Sequence, residues 1–261
     1  MQTSNGYSRR RAILLAAGVM CGGAVAPPGG FQMVRSVVKV AGRDVQLQRY
    51  LAMGAARRPV VLVLHGTKGL GAHSEAYERY ASDLAASGVD AWLFSYYGPH
   101  DAQAIDDAVG SKGRLTLYAS FVDRWVALIN AMAHYALRQE RSSGKVALLG
   151  FSLGGMVAVA AADNSVFSAL SVFYASLPEF RPRRFSKLPA LLDIHGDADK
   201  AVPLARGMEL VEEAKRLGGS AEIVVFKGEG HGFDLDLSNR DSASARRRAV
   251  SFLVTALAAR P

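Results

Sequence analysis

Lys145-Val146-Ala147-Leu148-Leu149-Gly150-Phe151-Ser152-Leu153-Gly154-Gly155-Met156-Val157-Ala158-Val159-Ala160 decides how the rest of the chain is read. An apolar run of strand length meets Gly-x-Ser-x-Gly, and an Ala/Val-rich helical pattern follows at once. A strand that stops where a helix starts needs a sharp, strained turn, and Gly150 and Gly154 supply small neighbours for it. Such a turn lifts the Ser152 hydroxyl out of the sheet and onto a helix N-terminus, where N–H groups face any developing negative charge. A chain of this Gly and Ser content yields roughly 0.2 such matches by chance, so the flanking strand, helix and Gly155 carry the weight. The plainer alternative is a packing turn with Ser152 as an N-cap.

Working outward, apolar runs of strand length alternate with helical patterns. Val34 to Val40 and Val45 to Tyr50 alternate apolar and polar residues around Ala41-Gly42-Arg43-Asp44, predicting an antiparallel hairpin at a sheet edge. Val60 to Leu64, Asp90 to Ser95, Ala169 to Ala175, Ala190 to His195 and Ala221 to Phe226 read as further strands. The run at 60–64 is apolar throughout, which suits burial on both faces. Helices are expected over Ser74–Ser87, Leu115–Arg138, Leu204–Leu217 and Arg246–Ala259, and residues from about Gly98 to Gly113 look irregular. The alternation implies an α/β fold, a mostly parallel central sheet with helices on both faces.

Composition agrees. The chain has 261 residues, half in the apolar set, enough for one large domain with a well-buried core. The net charge of +8 is spread over Arg pairs and triples such as Arg57-Arg58, Arg183-Arg184 and Arg246-Arg247-Arg248. They are not interleaved with aromatics, so a nucleic-acid partner is not expected. The first 30 residues read as an address and short linker: Ser8-Arg9-Arg10-Arg11, an apolar run from Ala12 to about Val25, and a small-residue Ala24-Val25-Ala26 cleavage site. The pattern resembles a twin-arginine export signal, predicting a periplasmic or secreted protein whose domain spans 31–261. The run is too short for a stable membrane span in the mature form. The alternative is an N-terminal tail on a cytoplasmic protein. Cys21 is the single cysteine, so a mature exported form has no disulfide, thiolate nucleophile or zinc–cysteine site.

In an open α/β sheet, ligands bind beyond the carboxyl ends of the strands. The loops around His65, Ser152, Asp199 and His231 lie there, and three of them hold a serine, an acid and a histidine in the order Ser152, Asp199, His231. A serine hydroxyl needs a base within hydrogen-bond reach, and a carboxylate fixes the base's tautomer. His231 is the one histidine after Asp199. Asp199 is preferred as the acid because it directly precedes the turn into Val202-Pro203. The other assignment makes Asp197 the acid and Asp199 a helix cap. Asp193, inside a strand, is poorly placed to reach a loop histidine. The oxyanion hole is expected from the backbone N–H of Leu153 and a second N–H from Thr67, or else Lys68. His65 is expected to order its loop and His195 to brace its turn. Tyr96, Tyr97 and Phe233 either line a substrate pocket or serve as packing.

His65-Gly66, Gly150-Phe151-Ser152-Leu153-Gly154-Gly155, His195-Gly196-Asp197-Ala198-Asp199 with Val202-Pro203, and Gly230-His231-Gly232-Phe233 resemble the dienelactone hydrolase family of α/β-hydrolases. The resemblance covers about residues 35 to 258. It implies the α/β-hydrolase fold and hydrolysis of a small-molecule carboxylic ester or lactone through an acyl-enzyme, with no cofactor and no metal. Members that act on dienelactones typically carry a Cys nucleophile where this chain has Ser152, and a Glu in the loop where Gly66 stands. These departures favour a general esterase or related acyl hydrolase. The rival readings are a serine peptidase on the same scaffold and a non-catalytic binding protein that keeps the fold.

Overall fold

A computed structural model describes residues 30–163, 166–181 and 185–259. The expected export signal therefore lies outside the described residues, apart from Gly30 at its end. The elements run β1 (Phe31–Val40), β2 (Arg43–Ala52), β3 (Arg58–Leu64), α1 (Ser74–Ala86), β4 (Asp90–Phe94), α2 (Asp101–Asp107), α3 (Gly110–Leu137), β5 (Ser142–Phe151), α4 (Leu153–Ala162), β6 (Phe167–Phe173), β7 (Ala190–Gly196), α5 (Leu204–Arg216), β8 (Ala221–Phe226) and α6 (Ser242–Ala258). Strands form one sheet in the order β1-β2-β4-β3-β5-β6-β7-β8. β1 and β2 form the expected antiparallel hairpin at one edge, β2 pairs antiparallel with β4, and all remaining pairs are parallel. This is the α/β-hydrolase fold.

The core divides into two layers because parallel strands must be covered on both faces. Leu62, Leu148 and Leu170 face a layer built from Trp125, Ile129 and Met132 of α3, the apolar α4, and Leu210 of α5. Val63, Leu149 and Phe173 face Tyr77, Tyr80 and Leu84 of α1 and Ala249 and Leu253 of α6. Val146 to Phe151 of β5 are all buried, as the continuous apolar run requires of a central strand. A truncation such as Leu148→Ala in this layer costs about 2–5 kcal/mol.

Two stretches differ from expectation. Asp101–Asp107 is helical and α3 begins at Gly110, where the sequence looked irregular. The cause is tertiary: the buried Asp101 carboxylate accepts from the Gly98 N–H at 2.6 Å and the Trp125 Nε1–H at 2.7 Å, and pairs with Arg124. This fixes a short helix that has few buried apolar residues of its own. The last helix also starts earlier, at Ser242, whose hydroxyl donates to the Asp234 carbonyl at 2.7 Å.

Candidate active site

β5 ends at Phe151 and α4 begins at Leu153, so Ser152 alone makes the turn. It adopts φ 54° and ψ −119°, a left-handed conformation rare for a residue with a side chain. Strain of this kind costs about 1–3 kcal/mol and persists only where the surroundings over-determine it. Here they do. A Cβ on Gly150 would sit 2.5 Å from the Gly154 carbonyl oxygen, and one on Gly154 would overlap the carbonyl oxygens of Leu64 and His65. A Cβ on Gly155 would lie 2.8 Å from the Ala175 side chain. The Ser152 N–H donates to the Phe173 carbonyl at 3.0 Å, tying the turn to β6.

The Ser152 Oγ lies 2.9 Å from His231 Nε2, and His231 Nδ1 lies 2.7 Å from Asp199 Oδ2. A carboxylate accepts, so Nδ1 carries the hydrogen and Nε2 is free to accept from the serine hydroxyl. The other Asp199 oxygen accepts the N–H groups of Ala201 and Val202, each at 2.8 Å. Burial alone would raise the Asp199 carboxyl. The hydrogen bonds from His231, Val202 and Ala201 outweigh burial and hold it below the usual carboxylate range. Asp197, the other candidate acid, is exposed and accepts the Gly228 N–H at 2.6 Å, away from the imidazole. The His231 loop is clipped to the Asp199 loop by the Ala198 N–H, which donates to the Glu229 carbonyl at 3.0 Å.

The loop after β3 abuts the Ser152 turn: a Cβ on Gly66 would be 3.7 Å from Ser152 Cβ. Three tyrosines anchor it. Tyr96 donates to the His65 carbonyl at 3.0 Å, Tyr97 donates to the Thr67 carbonyl at 2.9 Å, and Tyr77 accepts the Gly66 N–H at 3.1 Å. No hydrogen bond among the described residues engages the N–H of Thr67 or of Leu153. His65 is buried, its Nδ1–H donating to the Gly66 carbonyl at 2.8 Å, and burial lowers it to about 4, so it stays neutral. His195 braces its turn by donating from Nε2 to the Val202 carbonyl at 2.8 Å.

The aromatic candidates are placed within the packing. Tyr96 is fully buried and stacks on His65 with ring centroids 4.3 Å apart. Phe233 is buried against Phe226. Tyr97 is nearly buried, and its open edge belongs to a cavity shared with Arg43, Ser95 and Pro99. Two further side chains stand by the site without a sequence mark: Tyr174, whose ring packs against the His231 imidazole, and the buried Asp234 carboxylate, which accepts from Tyr80 at 2.7 Å. Neither lies in a motif, so no sequence signal marked them.

Comparison with known proteins agrees with this architecture. The sequence pattern of the dienelactone hydrolase family matches residues 47–259. Carboxymethylenebutenolidase 2 of Cupriavidus pinatubonensis is 29% identical over 206 residues, covering 74% of this chain and 80% of that protein. The crystal structure of dienelactone hydrolase from Anabaena variabilis superposes with a TM-score of 0.66 at 18% identity, covering 85% of this chain and 97% of that one. Est1E from Butyrivibrio proteoclasticus superposes with a TM-score of 0.62 at 17% identity, covering 86% and 99%. With its fold, its strained strand-to-helix turn at Ser152 and a family match over most of its length, this hydrolase belongs to the dienelactone hydrolase family.

Proposed function

We propose that the protein hydrolyses small carboxylic esters or lactones through an acyl-enzyme on Ser152, with His231 as general base and Asp199 as its orienting acid. The observation that carries this reading is the chain Ser152 Oγ, His231 Nε2, His231 Nδ1, Asp199 Oδ2, with both links at hydrogen-bond distance. His231 takes the serine proton as Oγ attacks the carbonyl carbon. Asp199 stabilises the imidazolium and holds its tautomer. The unengaged N–H groups of Leu153 and Thr67 receive the oxyanion, Leu153 from the first turn of α4. His231 then protonates the leaving alkoxide as the ester C–O bond breaks; in the second half it takes a proton from water as that water attacks the acyl carbonyl, and returns the proton to Ser152 Oγ as the acyl–oxygen bond breaks and the acid leaves.

The cited relatives support the substrate class through what they are called: a carboxymethylenebutenolidase and a dienelactone hydrolase. The short run from β7 through α5 to β8 carries no large lid, which suits a small or exposed acyl group. Ser152 in place of a thiol and Gly66 in place of an acid favour simple esters over dienelactones.

A p-nitrophenyl ester assay on the wild type and Ser152→Ala tests the reading. Hydrolysis that disappears in the variant supports it, and hydrolysis that is absent or survives the substitution refutes it. A phosphonate label mapped by peptide mass must fall on Ser152. We also propose that residues 1–30 export a single hydrolase domain, 31–261. N-terminal sequencing of the protein from the periplasmic fraction tests this, and an intact Met1 on a cytoplasmic protein overturns it.

A further inference from the structure

A second acid–histidine pair lies behind Asp199. Asp193 and His195 are two residues apart on β7, so their side chains share one face of the sheet. Both are fully buried, with His195 Nδ1 3.0 Å from Asp193 Oδ2. α5 seals them: a Cβ on Gly207 would overlap Asp193 Oδ2 and reach within 2.6 Å of His195 Nδ1. The other ring nitrogen donates to the Val202 carbonyl at 2.8 Å, and the same Nε2 lies 3.8 Å from Asp199 Oδ2. That is the Asp199 oxygen which receives His231. The Val202 N–H in turn donates to Asp199 Oδ1, so His195 holds the Val202 end of the turn by a hydrogen bond and faces the Asp199 end across 3.8 Å.

The pair shares one proton between Nδ1 and Oδ2, because Nε2 already carries its own. Burial works against charge on both partners and raises the Asp193 carboxyl, but at His195 the hydrogen bond and charge of Asp193 outweigh it and hold the ring up, toward the imidazolium. In that form the pair is neutral overall, with its positive edge turned to Asp199.

We propose that Asp193 and His195 are positioning residues for hydrolysis, a sealed ion pair whose Nε2–H edge fixes the Asp199 carboxylate and offsets its charge on His231. This rests on the role proposed for Ser152, His231 and Asp199. Offsetting matters because a base held too strongly protonated is unavailable to the serine at neutral pH. The other groups facing His231 are Ser152, the Tyr174 ring 4.4 Å away, and the Asp234 carboxylate beneath it, which is bonded to Tyr80.

Asp193→Asn separates this role from simple bracing. The amide donates to Nδ1 of a neutral His195, and Nε2–H keeps its bond to Val202, so the turn stays braced while the positive edge is lost. The readout is the titration midpoint of the His231 ring by histidine-selective NMR, alongside the pH profile of kcat/KM on a p-nitrophenyl ester. The expected result is a midpoint and an acid limb both moved upward by about half a unit, with KM unchanged within about twofold. The double variant Asp193→Asn with His195→Gln keeps an amide bridge to Val202 and is expected to move the same way. It takes the place of the single variant should that one fail to fold. An unmoved midpoint overturns the proposal, as does a moved midpoint with an unmoved acid limb. If the wild type shows no Ser152-dependent hydrolysis, the functional reading fails, and the NMR midpoint still decides whether the pair acts on His231.

Discussion

The α-carbon of Gly154 packs so closely against the carbonyl oxygen of His65 that a methyl group there would overlap it. The obstacle is backbone at the end of β3, which cannot swing aside like a flexible side chain. Gly154→Ala is therefore expected to destabilise the protein by about 2–3 kcal/mol and to push the Thr67 loop away from Ser152. Urea unfolding measures the first effect. Activity lost well beyond the unfolded fraction reveals the second.

Strain at Ser152 gives a prediction of opposite sign. Glycine adopts φ 54° without steric cost, so Ser152→Gly is expected to abolish ester hydrolysis while raising stability by about 1 kcal/mol. The same unfolding measurement checks it. A destabilised variant would show that the serine side chain holds the turn.

The two candidate acids separate cleanly. Asp199→Asn leaves the geometry in place but favours the wrong His231 tautomer, and kcat is expected to fall about 10⁴-fold. Asp197→Asn, on an exposed residue bonded to Gly228, is expected to change kcat less than about twofold. Steady-state kinetics on both variants decides between them.

Asp234 should make stability fall as pH rises. Burial raises its carboxyl from 3.8 to about 6, so the folded protein prefers it protonated. Its contribution is fully present below pH 3.8 and is lost as pH climbs through about 6. The loss is of order 2–3 kcal/mol. Asp234→Asn keeps an acceptor for Tyr80 and is expected to remove this part of the slope between pH 4 and pH 8. Urea midpoints of both proteins across that range test it.

What was legible in the sequence is what local chemistry fixes. Gly150, Ser152 and Gly154 require a strand-to-helix turn because nothing larger fits beside a residue at positive φ. The apolar run at 60–64 and the alternation at 34–50 give the central and edge strands their places, since side-chain period follows burial. Ser152, Asp199 and His231 each follow an apolar run of strand length, which by itself assigns all three to the carboxyl ends of strands. Helix α2 was not legible, because its Asp101 is held by Gly98, Arg124 and Trp125, the last two from a later helix.

Only the tertiary structure decided the surroundings of those three side chains. Tyr96 and Phe233 read equally well as pocket or packing, and burial places both in the packing. Asp193 and His195 lie on a strand like any other polar pair, and Asp234 and Tyr174 lie in no motif. Their importance comes from contacts across 7 to 154 residues of chain, between His195 and Val202, or between Tyr80 and Asp234. Local spacing sets which atoms can be reactive. The environment that tunes their charge is assembled from distant segments by the closing of the core, and no short stretch of sequence contains it.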